Sequence, residues 1–396
     1  MRFPVTGQQG HGHRIIQKRI KVMHIAQAAG GVDRYLRMLL KYLDKEKFEN
    51  IVVLSQDFHG DDYVGVVSAF EQIHMTRAIS IHDFRTIYKV RKMIKKYCPD
   101  IVYAHSSKAG AIARIANIGM KNHCVYNSHG WAFNMKVSPK KQKLYILIER
   151  MAALLCDKII CISDAEKKSA LSKNICRKNK LQVIFNGVDI KAYESSMHGP
   201  IHNTDLGISD DSIIVGMVGR LCEQKAPDVF VKAAKLIKQD IPSAHFVIVG
   251  NGPLETMIKE YALQNELDDC LHITGWVENP MSYIELFDIA MLLSRWEGFG
   301  LVLPEYMMAG KPIVATNIDA IPNIIRDGEN GLLVEPDSEM AAYKAVMRLH
   351  TDSKLRERLI DRSRKDVHKR FDVRRVAREH EELWTGLVKE TMKLEE

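Results

Sequence analysis

No stretch of this sequence is apolar over the ~18 residues that a bilayer span requires, so no transmembrane helix is expected. Residues 1–19 are polar and basic and lack the apolar core of a secretory signal; they are expected to form a basic N-terminal arm. The seven cysteines form no C-x-x-C pair and no zinc spacing, which excludes a disulfide framework and points to reduced, cytoplasmic thiols. No D-x-D pair follows an apolar run, so a diphosphate held through Mg²⁺ is not indicated and no metal is expected. Gly216-Met217-Val218-Gly219 and Gly250-Asn251-Gly252-Pro253 both depart from G-x-G-x-x-G, which disfavours a dehydrogenase. Helix-turn-helix, zinc-finger and RNP signatures are missing, which sets nucleic acid aside as a partner.

What is present is an ordinary globular composition, 46% hydrophobic and 27% charged over 396 residues, enough for two or three domains. The charge is lopsided: residues 1–200 carry +17 and the remainder −9. A basic half suits phosphorylated ligands or an anionic membrane face. Apolar runs at 20–25, 51–54, 101–104, 124–127, 159–162 and 183–185 read as strands, with amphipathic helices from Asp33 and over 84–97 and 138–155. Residues 191–211 are polar and aperiodic and read as a linker. The alternation then restarts, with strands at 213–218, 245–249, 271–274, 289–293, 313–315 and 332–334 and helices such as 229–239 and 254–263. The fold class is therefore α/β, with two doubly wound parallel sheets in tandem. A long charged helix over 371–393 is expected to pack across the domain boundary.

Within this plan the stretch from Ser294 to Glu305 stands out. The apolar run into it, Gly298 and Gly300 within it, and the helical pattern from Glu305 to Gly310 read as strand, loop, helix. Pro304 is tolerated only in a first turn, which places Glu297 at the strand's carboxyl end and Glu305 near the helix start. A helix N-terminus behind a glycine loop suits a phosphate, and flanking carboxylates suit hydroxyl-rich groups. Taken alone, the same stretch is equally a tight turn with two solvated glutamates.

Other strand ends supply candidates. Arg220 and Lys225 stand five residues apart after the restarted first strand, where a planar fork and a point charge can reach one diphosphate. Gly30 and Gly31 follow the first strand. His105 and His129 each end a strand and precede a glycine. The site reading outweighs the packed one for His129; for His105 the packed reading is kept. Residues 138–155 begin with Lys140, Lys141 and Lys143 and fit either a core-facing helix or one lying on an anionic membrane.

The ordered set Gly30-Gly31, Ser128-His129-Gly130, Asn186-Gly187-Val188-Asp189, Gly219-Arg220 with Lys225, Gly250-Asn251-Gly252-Pro253 and Glu297 to Glu305 resembles glycosyltransferase family 4 from about residue 20 onward. The stretches 105–110 and 129–133 resemble enzymes of capsule and exopolysaccharide assembly. The resemblance implies a GT-B fold: an acceptor-binding Rossmann-like domain over 20–195, a nucleotide-sugar-binding one over 196–370, and a crossing helix over 371–396. It implies a retaining hexosyltransferase, working without a metal on a nucleotide-diphosphate sugar, UDP-linked by family habit. The acceptor would be a saccharide or prenyl-diphosphate-linked saccharide, and the enzyme would be cytoplasmic, peripheral at the inner face of the membrane. Arg220 and Lys225 would stabilise the leaving diphosphate. Glu297, Gly298 and the Phe299, Gly300 and Leu301 amides would face donor sugar and phosphate, and Glu305 the ribose. His129 would lie near the reacting centre, Gly31 near the donor phosphate, and Gly252 and Val277 near the base. Ile318-Asp319-Ala320-Ile321-Pro322 departs from the two glycines of relatives, which bears on donor choice. A sugar-nucleotide epimerase and a non-catalytic sugar-nucleotide binder on the same fold are the alternatives.

Overall fold

The computed structural model describes residues 18–27, 29–76, 80–195 and 201–395. Nearly all of the 1–19 arm and residues 196–200 of the expected linker lie outside this set.

The first sheet comprises β1 (Ile20–Ala26), β2 (Phe48–Leu54), β3 (Ala69–Gln72), β4 (Ile101–His105), β5 (His123–Asn127), β6 (Lys158–Cys161) and β7 (Leu181–Val183). All pairs are parallel, in the order β3-β2-β1-β4-β5-β6-β7. The second comprises β8 (Ile214–Val218), β9 (His245–Val249), β10 (Leu271–Ile273), β11 (Ile289–Leu292), β12 (Ile313–Thr316) and β13 (Leu332–Val334), parallel in the order β10-β9-β8-β11-β12-β13. Both faces of each sheet are covered, which is why the central strands are apolar without alternation. The strand order reverses between β1 and β4 in one sheet and between β8 and β11 in the other. A doubly wound sheet opens its ligand crevice at the carboxyl ends of such strands.

The helix Val373–Glu395 returns to the first domain. Its Val376, Ala377, Trp384 and Leu387 join the core formed by β1 and the helix Gly31–Tyr42. The two chain crossings lie side by side: Val188 N–H donates to Phe371 O (2.7 Å) and Val373 N–H to Val188 O (3.1 Å).

Several elements differ from the sequence reading. The expected linker opens with the helix Ile190–Ser195, and Ile208 is buried in the second domain's core. Strand β7 sits two residues earlier than the 183–185 run, because its pairing with β6 begins at Leu181. Edge strand β3 and the helices Ser107–Ala116, Asp164–Ser172, Glu339–Thr351 and Ser353–Arg370 were not anticipated. The helix expected from Glu305 runs from Val302 to Met308, with Pro304 in its first turn.

Candidate active site

At the second switch point, β8 delivers Gly219, Arg220 and Lys225, and β11 delivers Ser294 to Gly300. The Lys225 stem crosses Gly219, whose Cβ position lies 3.4 Å from Lys225 Cγ. Lys225 Nζ pairs with Glu297 Oε2, which also accepts from Ser294 Oγ at 3.2 Å. Arg220 is exposed and makes no side-chain hydrogen bond or ion pair among the described residues. The site thus holds one cation committed to a carboxylate and one left free.

The loop that carries Glu297 is built like a strut. Arg295 forks onto Asp228 at 3.0 and 2.6 Å, meets Asp337 at 2.5 Å and donates to Glu223 O at 2.9 Å. Gln224 Nε2 donates to Trp296 O at 3.0 Å, and Arg295 N–H to Gln224 O at 2.8 Å. The Lys225 turn and the Glu297 loop are therefore one hydrogen-bonded unit. No local pattern points to Arg295's role, since Asp228 lies 67 residues away. Asp319 has a defined part as well: its carboxylate accepts the Glu297 N–H at 3.0 Å. The 318–322 loop thereby fixes Glu297 directly.

Glu305 is 2% exposed, and its Oε1 lies 2.6 Å from Arg34 Nη1 of the first domain, an ion pair without hydrogen-bond alignment. Burial pushes this carboxyl above its usual range, and Arg34 only partly restrains it. Arg34 was not among the expected residues; it stands at the start of the helix that follows Gly30 and Gly31.

At the first switch point, β4 ends in His105 and β5 leads to His129. His129 has a left-handed backbone (φ 52°), and its N–H donates to Asn127 Oδ1 at 2.9 Å. The His129 ring is partly buried, stands edge-on to Tyr35 at 4.8 Å, and places Nε2 3.0 Å from His105 Nδ1. Desolvation holds His129 neutral, down at about 3. The packed reading of His105 is right as far as burial goes, but the residue also partners His129.

The two halves meet. A Cβ on Gly298 would lie 3.1 Å from Gly130 Cα, so a larger residue would crowd this close approach of the His129 loop to the Glu297 loop. Gly31 lies against Leu301, at 3.9 Å from its Cβ position. Lys136 pairs with Glu223 at 2.9 Å, and Ala165 N–H donates to Asn323 Oδ1 at 3.0 Å. Gly252 packs on the Arg220 loop, where a Cβ would fall 2.4 Å from Leu221 O. Val277 is partly buried in the loop beyond β10, Phe299 is fully inside the core, and Leu301 is partly buried.

Glu166 was missed. Its Oε2 accepts from Ile162 N–H at 2.9 Å, while its buried Oε1 has no hydrogen-bond partner and lies 3.6 Å from the Gly298 Cβ position. Burial pushes its carboxyl up to about 8, against backbone N–H groups that pull it down. The folded state then holds a proton that the unfolded chain releases near 4.5, so stability falls as pH rises from 4.5 to 8. Glu166→Gln should abolish that loss, raising the thermal midpoint at pH 8 but hardly at pH 5. Equal midpoint changes at both pH values would show that Glu166 is ionised in the fold.

Two parallel-sheet domains, with His105 and His129 at one switch point and Arg220, Lys225 and Glu297 at the other, define the GT-B arrangement. Glycosyl transferases group 1 matches residues 200–366, and Glycosyltransferase Family 4 matches residues 29–192. A UDP-Gal:alpha-D-GlcNAc-diphosphoundecaprenol alpha-1,3-galactosyltransferase of Escherichia coli is 30% identical over 85% of this chain and 89% of its own length. The capsular polysaccharide biosynthesis glycosyltransferase CapM of Staphylococcus aureus is 24% identical over 94% and 99%. Among solved structures, Anabaena Alr3699/HepE in complex with UDP and glucose superposes with a TM-score of 0.78 at 20% identity, covering 93% of this chain and 100% of that one. The chain belongs to glycosyltransferase family 4, and it is a glycosyltransferase of polysaccharide biosynthesis. Among the described residues, no helix is long and apolar enough to cross a membrane and no group of three or more acidic, histidine or cysteine side chains could hold a metal ion.

Proposed function

We propose that this enzyme moves a hexose from a UDP-sugar, with retention at the anomeric carbon, to a hydroxyl of a prenyl-diphosphate-linked saccharide. The observation that carries the reading is the pairing of Lys225 with Glu297 beside a free Arg220, facing His129 across the Gly130–Gly298 contact. The acceptor oxygen bonds to the anomeric carbon on the side from which the diphosphate leaves. The bond from that carbon to the diphosphate oxygen breaks, its electron pair departs with UDP, and the acceptor proton passes to a phosphate oxygen. Arg220 and Lys225 neutralise the growing charge, the task a divalent ion performs elsewhere. Glu305 accepts the ribose hydroxyls in place of Arg34, whose Nη1 lies 2.6 Å from its Oε1. The UDP and lipid-linked assignments draw on the donor and acceptor named for the E. coli relative.

The test is incubation of enzyme, a panel of UDP-hexoses and a diphosphoundecaprenol-linked GlcNAc acceptor, with EDTA present. An α-linked product from an α-donor is expected. A β-linked product overturns retention, dependence on added metal overturns metal-free transfer, and sugar interconversion without any acceptor product identifies an epimerase.

The acceptor's lipid suits one face of the first domain. The helices Asp83–Tyr97, Ser107–Ala116 and Pro139–Ala153 pack together on one side of the sheet. Outward they present Phe84, Tyr88, Ile115, Leu144, Leu147 and Met151. Exposed Arg85, Lys89, Lys92, Lys140, Lys141 and Lys143 stand among them. The apolar stripe of the last helix thus turns away from the core, as an interfacial helix requires. Burying a leucine is worth roughly 1.5–3 kcal/mol. Leu147→Glu with Met151→Glu is expected to weaken co-sedimentation with phosphatidylglycerol vesicles at least tenfold. Binding indifferent to this change, to anionic lipid and to salt would exclude this face.

A further inference from the structure

Behind His129 lies a file of buried side chains that transfer chemistry does not use. His129 Nε2 is 3.0 Å from His105 Nδ1, His105 Nε2 is 3.4 Å from His24 Nδ1, and His24 Nε2 is 3.1 Å from Asn50 Oδ1. His24 and His105 are 0% exposed and Asn50 4%. Tyr35, Tyr103, His380 and Trp384 enclose the file; none hydrogen-bonds to these three imidazoles.

A neutral imidazole carries one N–H, so a row of them must run in one direction. The row ends on a carbonyl oxygen, which only accepts. His24 therefore bears its proton on Nε2 and offers Nδ1 as acceptor. His105 then bears its proton on Nε2 and offers Nδ1. His129 in turn bears its proton on Nε2. Its Nδ1 is unprotonated and makes no hydrogen bond among the described residues. Each imidazole is held neutral by desolvation, so no protonated member breaks the order. The file is no relay: a proton entering it meets the Asn50 carbonyl and has no exit.

We infer that Asn50, His24 and His105 are positioning residues that fix His129 as the Nε2–H tautomer, so that it presents Nδ1 to the cleft as a hydrogen-bond acceptor for a sugar hydroxyl. The ligand group is therefore a hydroxyl donor, not a phosphate oxygen, which an unprotonated nitrogen repels. The orientation is a property of the fold alone; its use on a sugar rests on the transferase reading above.

The experiment is a long-range ¹H–¹⁵N spectrum of histidine-labelled full-length protein at pH 7, with His129 assigned by its loss in His129→Asn. Nδ1 is expected in the unprotonated range and Nε2 in the protonated range. The reverse pattern overturns the inference without any variant. Asn50→Leu removes the terminal acceptor, and His129 should then show both tautomers. A folded Asn50→Leu protein with an unchanged His129 signal means that the file does not set the tautomer. Should that variant not fold, His24→Phe breaks the next link with the same expectation. The expected tautomer in a protein that transfers no sugar leaves the file standing and removes the transferase reading. The reverse tautomer in an active enzyme does the opposite.

Discussion

Lys225→Ala and Arg220→Ala are each expected to lower kcat about 10²–10³-fold, the effect of removing one preorganised charge from a developing anion. Their effects on stability should differ. Arg220 has no protein partner among the described residues, so its loss leaves nothing behind, and thermal unfolding should be unchanged. Lys225 already holds Glu297, whose side chain is only 9% exposed. Its removal leaves that carboxylate with Ser294 alone, at a cost of about 1–3 kcal/mol. Glu297→Gln combined with Lys225→Ala should recover most of that stability and none of the rate. Kinetics and melting curves on the four proteins separate the cases. Wild-type rates in both single variants would remove these residues from the chemistry.

The parts of the site that the sequence displayed are those set by local rules. The strand, loop and helix from Ile289 to Met308 were legible because an apolar run, two glycines and Pro304 allow little else. Arg220, Lys225 and His129 could be picked out as candidates because each follows an apolar strand. Residues that act on distant partners could not. Arg34 reaches Glu305, Arg295 reaches Asp337 42 residues on, and Asp319 reaches back 22 residues to Glu297. No spacing along the chain encodes such pairs. Periodicity also shows only that the helix Pro139–Ala153 has an apolar stripe, not which way the stripe faces. His105 shows the same limit in another form: a buried histidine and a histidine that orients another look alike in sequence.

The fold should be unusually sensitive to mild acid. His24, His105, His129 and His380 are all held neutral in the first domain by desolvation: His24 and His380 near 4, His129 near 3 and His105 well below its usual value. Unfolded, each takes a proton near 6.5. Between 6.5 and about 4.5 the unfolded chain thus binds up to four more protons than the folded one, so stability falls as pH falls. His245 and His272 in the second domain, also lowered by desolvation, add to this, while His123, raised by Asp157, and three carboxyls oppose it. Glu166, Glu305 and Asp319 are raised in the fold by burial and take their protons before the unfolded chain does, which favours the folded state in acid. The lowered histidines outnumber the opposing groups, so the net effect of acid is destabilising, each unmatched proton amounting to about 1.4 kcal/mol per pH unit. A domain stable by about 5–15 kcal/mol loses a large share of that over two units. Trp131 and Trp384, both buried in the first domain, report the event. The urea midpoint followed by their fluorescence should drop steeply from pH 6.5 to 4.5. His380→Phe removes one titrating group from beside the Tyr35–Tyr103 pair, so it should flatten the slope, whatever it does to the midpoint at pH 7. A midpoint constant across that window would mean that the histidines are hydrated in the native state, and the tautomer-fixing file behind His129 would then lose its dry setting.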